Sequence, residues 1–461
     1  MILIEGCTGV ATMDDAQTEI EGGSILIDGG VIRWVGRGQP PTTEAIERLE
    51  GNGLVAIPGL VNAHHHLYQV LTRVRAQEHG LFGWLRELYP VWAGLDADWE
   101  RRAAALGLAE LALSGCSTTT DHHYVFPRGV TGLLEAEMEV ARQIGLRFHP
   151  CRGSMDLGAS HGGLPPDTIV EDLDEVLAET ERQIRRYHDP QPGAMLRIAV
   201  GPCSPFSVSG RLMRESAALA REHGVRLHTH IAETRDEEAY CRQKFDRRPV
   251  ELLADLDFLG PDVWLAHCVH VDAGDIARLA STSTAVAWCP TSNARLGSGI
   301  APARELLDGG VRVGLAVDGS ASNDSGNMLA EVRQALLMTR ARLGPAAMTA
   351  REALRLATRG GAACLGRDDI GSLEAGKRAD IALFSVEGPA FAGAEADPVA
   401  SLVFCAPGPV RHLLVDGKFV VREGRLADGS TPTLPSPQGG GRNNAPPPQG
   451  GRDIVPAKVS A

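Results

Sequence analysis

Lysine is nearly absent from this chain. Of its 45 basic residues only Lys244, Lys377, Lys418 and Lys458 are lysines. None precedes Lys244, so the first half has no Schiff-base lysine and no P-loop lysine. Basic runs are missing too, and the net charge is -13, which argues against a phosphate-backbone binder and favours a small or neutral substrate over a nucleic acid. The nine cysteines are odd in number and include no CxxC pair, so a disulfide framework is excluded. No apolar run reaches the ~18 residues of a membrane span. The start lacks the basic and apolar regions of a signal peptide, so a soluble cytosolic protein is expected. Missing GxGxxG, GxSxG and HExxH motifs argue against dinucleotide, serine-hydrolase and zincin chemistry.

What is present is an ordinary globular balance, 43% hydrophobic and 22% charged, punctuated by 53 Gly and 28 Pro. Residues 1–60 read as β, with a hairpin signal where Asp28-Gly29-Gly30 separates two apolar runs. From 61 to 370 strand-like pieces at 147–151, 196–201, 225–232, 263–268, 284–289 and 311–318 alternate with helix-period stretches. That alternation predicts an α/β fold, a (β/α)8 TIM barrel. Residues 371–427 return to β character and are expected to pair with 1–60 in one small sheet domain. The Pro- and Gly-rich stretch 428–461 predicts a disordered tail.

The histidines carry the chemistry. His64-His65-His66 ends the apolar run Leu54–Val61, and alternation on a strand puts His64 and His66 on one face. Two such imidazoles suit a borderline-soft cation such as Zn²⁺, although an HxH pair alone is weak evidence. His230, in His228-Thr229-His230-Ile231-Ala232-Glu233, is placed to be a third ligand. His228 lies deeper on the same face, where packing or support of a ligand is its expected role. Glu233 falls either in a barrel-mouth loop or in the first turn of the next helix, where a carboxylate also suits the dipole. Two further apolar runs end in His267 and Asp318. Metal-capable or proton-transferring residues at four strand ends are what barrel catalysis requires.

Pro58-Gly59-Leu60-Val61-Asn62-Ala63-His64-His65-His66, His230-Ile231-Ala232-Glu233, Leu265-Ala266-His267-Cys268, Val317-Asp318-Gly319 and Gly371-Ser372-Leu373-Glu374-Ala375-Gly376-Lys377 together resemble the amidohydrolase superfamily, in its cytosine/guanine/triazine deaminase branch. The resemblance spans 1–425 in the family's order. It implies a distorted (β/α)8 barrel, a composite β-sandwich from both chain ends, one divalent metal (Zn²⁺, with Fe²⁺ fitting the same ligands) and a homodimer. It assigns His64, His66, His230 and Asp318 as metal ligands. Glu233, His267 and Asp318 take the catalytic roles: Asp318 accepts a proton from water, His267 orients the nucleophile, and Glu233 protonates a ring nitrogen and then the departing amine. With no lysine between His66 and Glu233, the lysine-bridged two-metal arrangement of some members is closed to this chain.

The expected partner is a small heterocyclic substrate, with no nucleic acid and no membrane. Five of the 21 aromatic residues fall in 68–92: Tyr68, Phe82, Trp84, Tyr89 and Trp92. They form either a lid stacking on a flat ring or a hydrophobic plug. Gln69 stands where guanine deaminases carry a purine-reading glutamine, but Pro205 occupies the place of their arginine, which counts against ordinary guanine recognition. The segments around Gln69, Trp92, Tyr124, Cys203 and Ser204 resemble those of oxidised-purine deaminases. That implies conversion of 8-oxoguanine to uric acid and ammonia, with these five residues as candidate substrate contacts. His123 either faces the pocket as well or is structural. Hydroxylated s-triazines, then guanine and adenosyl-type substrates, are the alternatives, and a metal-binding scaffold without turnover is the last.

Overall fold

The protein, seen here in a computed structural model, is described over residues 1–41, 47–405 and 408–427. The expected tail at 428–461 lies outside these residues. Eight parallel strands form one sheet in chain order: β1 Leu60–Asn62, β2 Cys116–His123, β3 Arg147–Ser154, β4 Ala199–Pro202, β5 Arg226–Ile231, β6 Val263–His267, β7 Ala285–Trp288 and β8 Val313–Leu315. The sheet curls so that Ala63 N–H donates to Leu315 O (3.1 Å) and Asp318 N–H to His64 O (3.2 Å), which brings its ends together as a barrel. Helices include α1 Leu81–Trp92, α2 Ala97–Leu113 and α3 Leu133–Ile144. Among the described residues no helix is long and apolar enough to cross a membrane.

β2 is absent from the strand-like pieces legible in the sequence. Its residues, Cys-Ser-Thr-Thr-Thr-Asp-His-His, contain no apolar run, yet all eight are buried. Tertiary packing overrode the weak local signal, as β-propensity permits.

The terminal segments form two sheets, the number that a sandwich requires. The smaller orders Val31–Arg37, Gly23–Asp28, Ile2–Cys7 and Glu47–Glu50. The larger has seven strands, with Leu54–Pro58 near its middle and Ile381–Ser385 antiparallel beside it. Period-2 alternation explains the second sheet. Leu54, Ala56, Ile381 and Leu383 join the core shared with the small sheet, while Val55, Ile57, Ala382 and Phe384 join the barrel core. A strand covered on both faces must be apolar throughout, which is why Leu54–Ile57 reads as one unbroken run.

The run 54–61 is itself two strands. Gly59 separates Leu54–Pro58, in the sandwich, from β1, in the barrel. Its N–H donates to Asp380 O (2.8 Å), and a Cβ there would lie 2.4 Å from Ser117 Oγ, so only glycine fits this crossing. Arg147 adds a second tie. Fully buried on β3, it donates to both Asp380 carboxylate oxygens (2.7 and 3.0 Å).

Candidate active site

The four expected ligands meet at the C-terminal mouth of the barrel. Asn62, at the end of β1, fixes the approach: its Oδ1 accepts from Val317 N–H (2.9 Å) and its Nδ2 donates to Thr119 Oγ1 (3.0 Å). His64 and His66 then enter the barrel together, as alternation requires. His230 comes from β5, and Asp318 stands three residues beyond β8. Ala232 (φ 52°), His267 (φ 74°) and Asp318 (φ 63°) adopt left-handed backbone. Each costs about 1–3 kcal/mol, strain of a kind that clusters at functional sites.

Hydrogen bonds fix the imidazole tautomers. His66 Nδ1–H donates to His122 O (2.7 Å) and His230 Nδ1–H to Cys203 O (2.7 Å), because a carbonyl can only accept. His228 Nδ1–H donates to Trp264 O (2.7 Å), so its Nε2 accepts from His64 Nδ1–H (2.7 Å). All three Nε2 lone pairs therefore face inward. His66 and His230 place theirs 3.1 Å apart, and Asp318 Oδ1 lies 3.3 Å from both His64 Nε2 and His66 Nε2. Facing lone pairs repel unless a cation lies between them. The spacing matches the ~3.3 Å edge of a tetrahedron with ~2.0 Å metal–ligand bonds. Burial depresses the imidazole pKa values, that of His66 to about 3, so the donors are neutral. These residues fit a divalent metal.

His228 supports His64, as expected, and its ring stacks on Trp264 (centroids 4.3 Å apart, 14°). Trp264 Nε1–H in turn donates to Ala63 O (2.9 Å), beside the first ligand. His122 was not foreseen in the cluster. It stacks on His230 (4.8 Å, 20°), but its Nε2–H donates to Gly201 O (2.7 Å), so it backs the ligands as a wall.

The residues expected to transfer protons lie beside this set. His267 Nε2 is 3.5 Å from Glu233 Oε2. Asn293 Nδ2 donates to His267 Nδ1 (3.1 Å), leaving the ring proton on Nε2, toward Glu233. Glu233 precedes the N-cap Thr234 of the following helix, so it belongs to the mouth loop and not to the helix's first turn. Glu237 clamps that loop, accepting from Ala232 N–H and Glu233 N–H (both 2.8 Å). Burial, then the negative fields of Asp318 and Glu237, push Glu233 well above the usual carboxylate range, which favours its protonated form. Burial opposes ionisation of Asp318, but the imidazoles of His64, His267 and His66 around it hold its carboxyl well below that range. Ser292 Oγ–H (2.6 Å) and Ser322 Oγ–H (3.1 Å) both donate to its Oδ2.

A cavity opens on this centre. Gln69, Tyr124, Cys203 and Ser204 line it, as expected, together with Trp84 and Tyr89. Trp92 does not. It sits one helical turn further along α1, donates from Nε1 to Thr72 Oγ1 (3.2 Å) and packs edge-on against Tyr68. Thus α1 lines the cavity at Trp84 and Tyr89 and packs as a plug at Trp92. Burial pushes the Cys203 thiol up to about 12, so this residue is a wall and not a nucleophile. His123 points away from the cavity, toward Glu137. Buried Gln69 leaves its Oε1 without a partner, and a Cβ on Gly319 would lie 1.9 Å from that oxygen. A Gly319→Ala variant is expected to displace Gln69 and raise KM by at least ~10-fold, the loss of roughly one good hydrogen bond. Steady-state kinetics check this; an unchanged KM would remove Gln69 from recognition.

Known proteins place this constellation. Residues 55–420 match the amidohydrolase family model. The 8-oxoguanine deaminase of Pseudomonas aeruginosa is 46% identical over 407 residues, covering 88% of this chain and 90% of that protein. The hydroxydechloroatrazine ethylaminohydrolase of a Pseudomonas species is 38% identical over 446 residues, covering 92% and 91%. Among solved structures, the zinc-complexed atrazine chlorohydrolase of Arthrobacter aurescens TC1 aligns with a TM-score of 0.89 at 37% identity, covering 93% of this chain and 96% of its own. The match to the family model and the agreement of these relatives over most of the length have one consequence: this chain belongs to the amidohydrolase family, as a metal-dependent hydrolase of C–N bonds.

Proposed function

We propose that the protein deaminates 8-oxoguanine to uric acid and ammonia. The observation that carries this reading is the cavity wall. Among the described residues its acidic side chains are Glu233 and Asp318 and no arginine or lysine lines it, so it suits a neutral nucleobase rather than a nucleotide phosphate. Trp84, Leu85, Tyr89 and Phe206 supply apolar surface for a flat ring. The Gln69 carboxamide accepts and donates, which suits a lactam edge. The 46% identity to an 8-oxoguanine deaminase supports the same substrate.

Zn²⁺ held by His64, His66, His230 and Asp318 would lower the pKa of a water toward ~7 and so supply the nucleophile near neutral pH. Asp318, ionised, takes the proton that this water gives up. His267, with its proton on Nε2, hydrogen-bonds the attacking oxygen and aligns it with the amine-bearing carbon. Glu233 protonates the adjacent ring nitrogen as the carbon–oxygen bond forms. The second proton of the attacking oxygen passes to Glu233, which delivers it to the exocyclic amine; the carbon–nitrogen bond breaks, ammonia leaves as the carbonyl forms, and the proton held by Asp318 returns to Glu233.

Ammonia release from 8-oxoguanine, guanine and isocytosine, and alkylamine release from hydroxyatrazine, measured side by side, test the substrate. The highest kcat/KM is expected with 8-oxoguanine. Faster turnover of hydroxyatrazine would move the assignment to s-triazines, the substrate class of the 38% relative. No turnover of any member would leave a metal-binding scaffold.

A further inference from the structure

A second polar cluster lies behind the barrel wall. On β2, His122 faces inward, so alternation turns Asp121 and His123 outward toward α2 and α3. There they meet Glu100 of α2 and Glu137 of α3, and all four are fully buried. His123 Nδ1 lies 2.6 Å from Glu137 Oε1 and 3.7 Å from Glu100 Oε2. His123 Nε2–H donates to Val125 O (3.0 Å), which turns Nδ1 toward the two carboxylates. Fixing one ring nitrogen on a carbonyl so that the other can ligate is how proteins orient metal-binding histidines.

The hydrogen bonding is incomplete. Neither oxygen of Glu100 has a partner, and Glu137 Oε2 and Asp121 Oδ2 have none either. Asp121 Oδ1 accepts from Leu67 N–H (2.6 Å) and lies 3.8 Å from His65 Nδ1. His65 is itself buried with both ring nitrogens unpaired. Among the described residues no arginine or lysine pairs with any of these three carboxylates; their ion-pair partners are imidazoles alone. Burial and mutual repulsion push Glu100 and Glu137 well above the usual range, and burial lifts Asp121 to about 7. Buried carboxylates without countercharge are costly, and a bound metal is one of the ways proteins compensate them.

We propose that Glu100, His123 and Glu137 bind a second divalent cation, separate from the one at the barrel mouth, whose charge the two carboxylates balance. Their donor atoms already lie within 4.8 Å of one another, so side-chain rotations are enough to close them on an ion. One imidazole and two carboxylates suit Zn²⁺ or Mn²⁺. Buried and remote from the cavity, the ion is structural. It ties α2, β2 and α3 together and, through Asp121, holds the Leu67 N–H that opens the short helical turn Leu67–Thr72, which carries Gln69 into the cavity.

The test is a metal count, independent of the substrate. The full-length chain, equilibrated with Zn²⁺ alone and then desalted, is measured by native mass spectrometry and elemental analysis. Two ions per chain are expected for the unaltered protein and one for Glu100→Gln. A His230→Ala chain should also hold one, at the buried site. One ion in the unaltered protein would overturn the proposal, because protons shared among the carboxyls would then balance the cluster. Two ions persisting in both Glu100→Gln and His123→Gln would overturn it as well, by placing the second ion elsewhere. The count on the unaltered chain decides even if a variant fails to fold.

Discussion

Glu233→Gln is expected to lower kcat by ~10²–10⁴-fold, the usual contribution of one positioned acid–base group, with metal content unchanged. Glutamine keeps the size and the polar contact with His267 but has no proton to give the ring nitrogen. Glu233 is not among the converging ligand donors, and its backbone is clamped by Glu237, so the loop and the metal site should survive. The pH profile adds a separate check. Glu233 acts as the acid while protonated, so the rate of the unaltered enzyme should fall as pH rises through its raised pKa. That alkaline limb should be missing from the residual activity of the variant. Loss of metal, or a near-normal rate, would remove Glu233 from the acid role.

Asp318→Asn should cost at least as much, at the upper end of that range, ~10⁴-fold, because one side chain serves two purposes. Its Oδ1 closes the ligand set against His64 and His66, while Oδ2 is held by Ser292 and Ser322. Asparagine supplies neither the negative charge nor a base. If its amide nitrogen takes the Oδ1 place, N–H groups point at the cation. In the other orientation, the two serine hydroxyls lose the acceptor they share. Weaker binding in chelator competition should therefore accompany the fall in kcat measured at saturating Zn²⁺. Undiminished metal affinity with a rate within ~10-fold of normal would contradict both roles.

These residues were legible because strand geometry is periodic. His64 and His66 share a face by alternation, and His230, His267 and Asp318 end or follow apolar runs, so pattern alone brings them to one mouth. The supporting cast carries no such signal. Ser292, Asn293 and Ser322 come from segments after β7 and β8, where no spacing rule applies. His122 lay in a strand that was itself unreadable, built of threonines and histidines. Trp92 misled for the opposite reason. Its nearness in sequence to Trp84 and Tyr89 suggested a shared role, but helical advance along α1 carries it past the cavity. The double-faced burial of Leu54–Pro58 left only an apolar run, which hides the break at Gly59.

That break has a thermodynamic consequence. Gly59 is the whole connection between a sandwich strand and the strand leading to His64, so there is no slack with which either part could melt alone. Unfolding should be one cooperative event, with metal release and loss of the terminal sheets occurring together. By mass action, Zn²⁺ bound to the native state then raises the resistance of both terminal sheets to heat and protease, although they contribute none of its ligands.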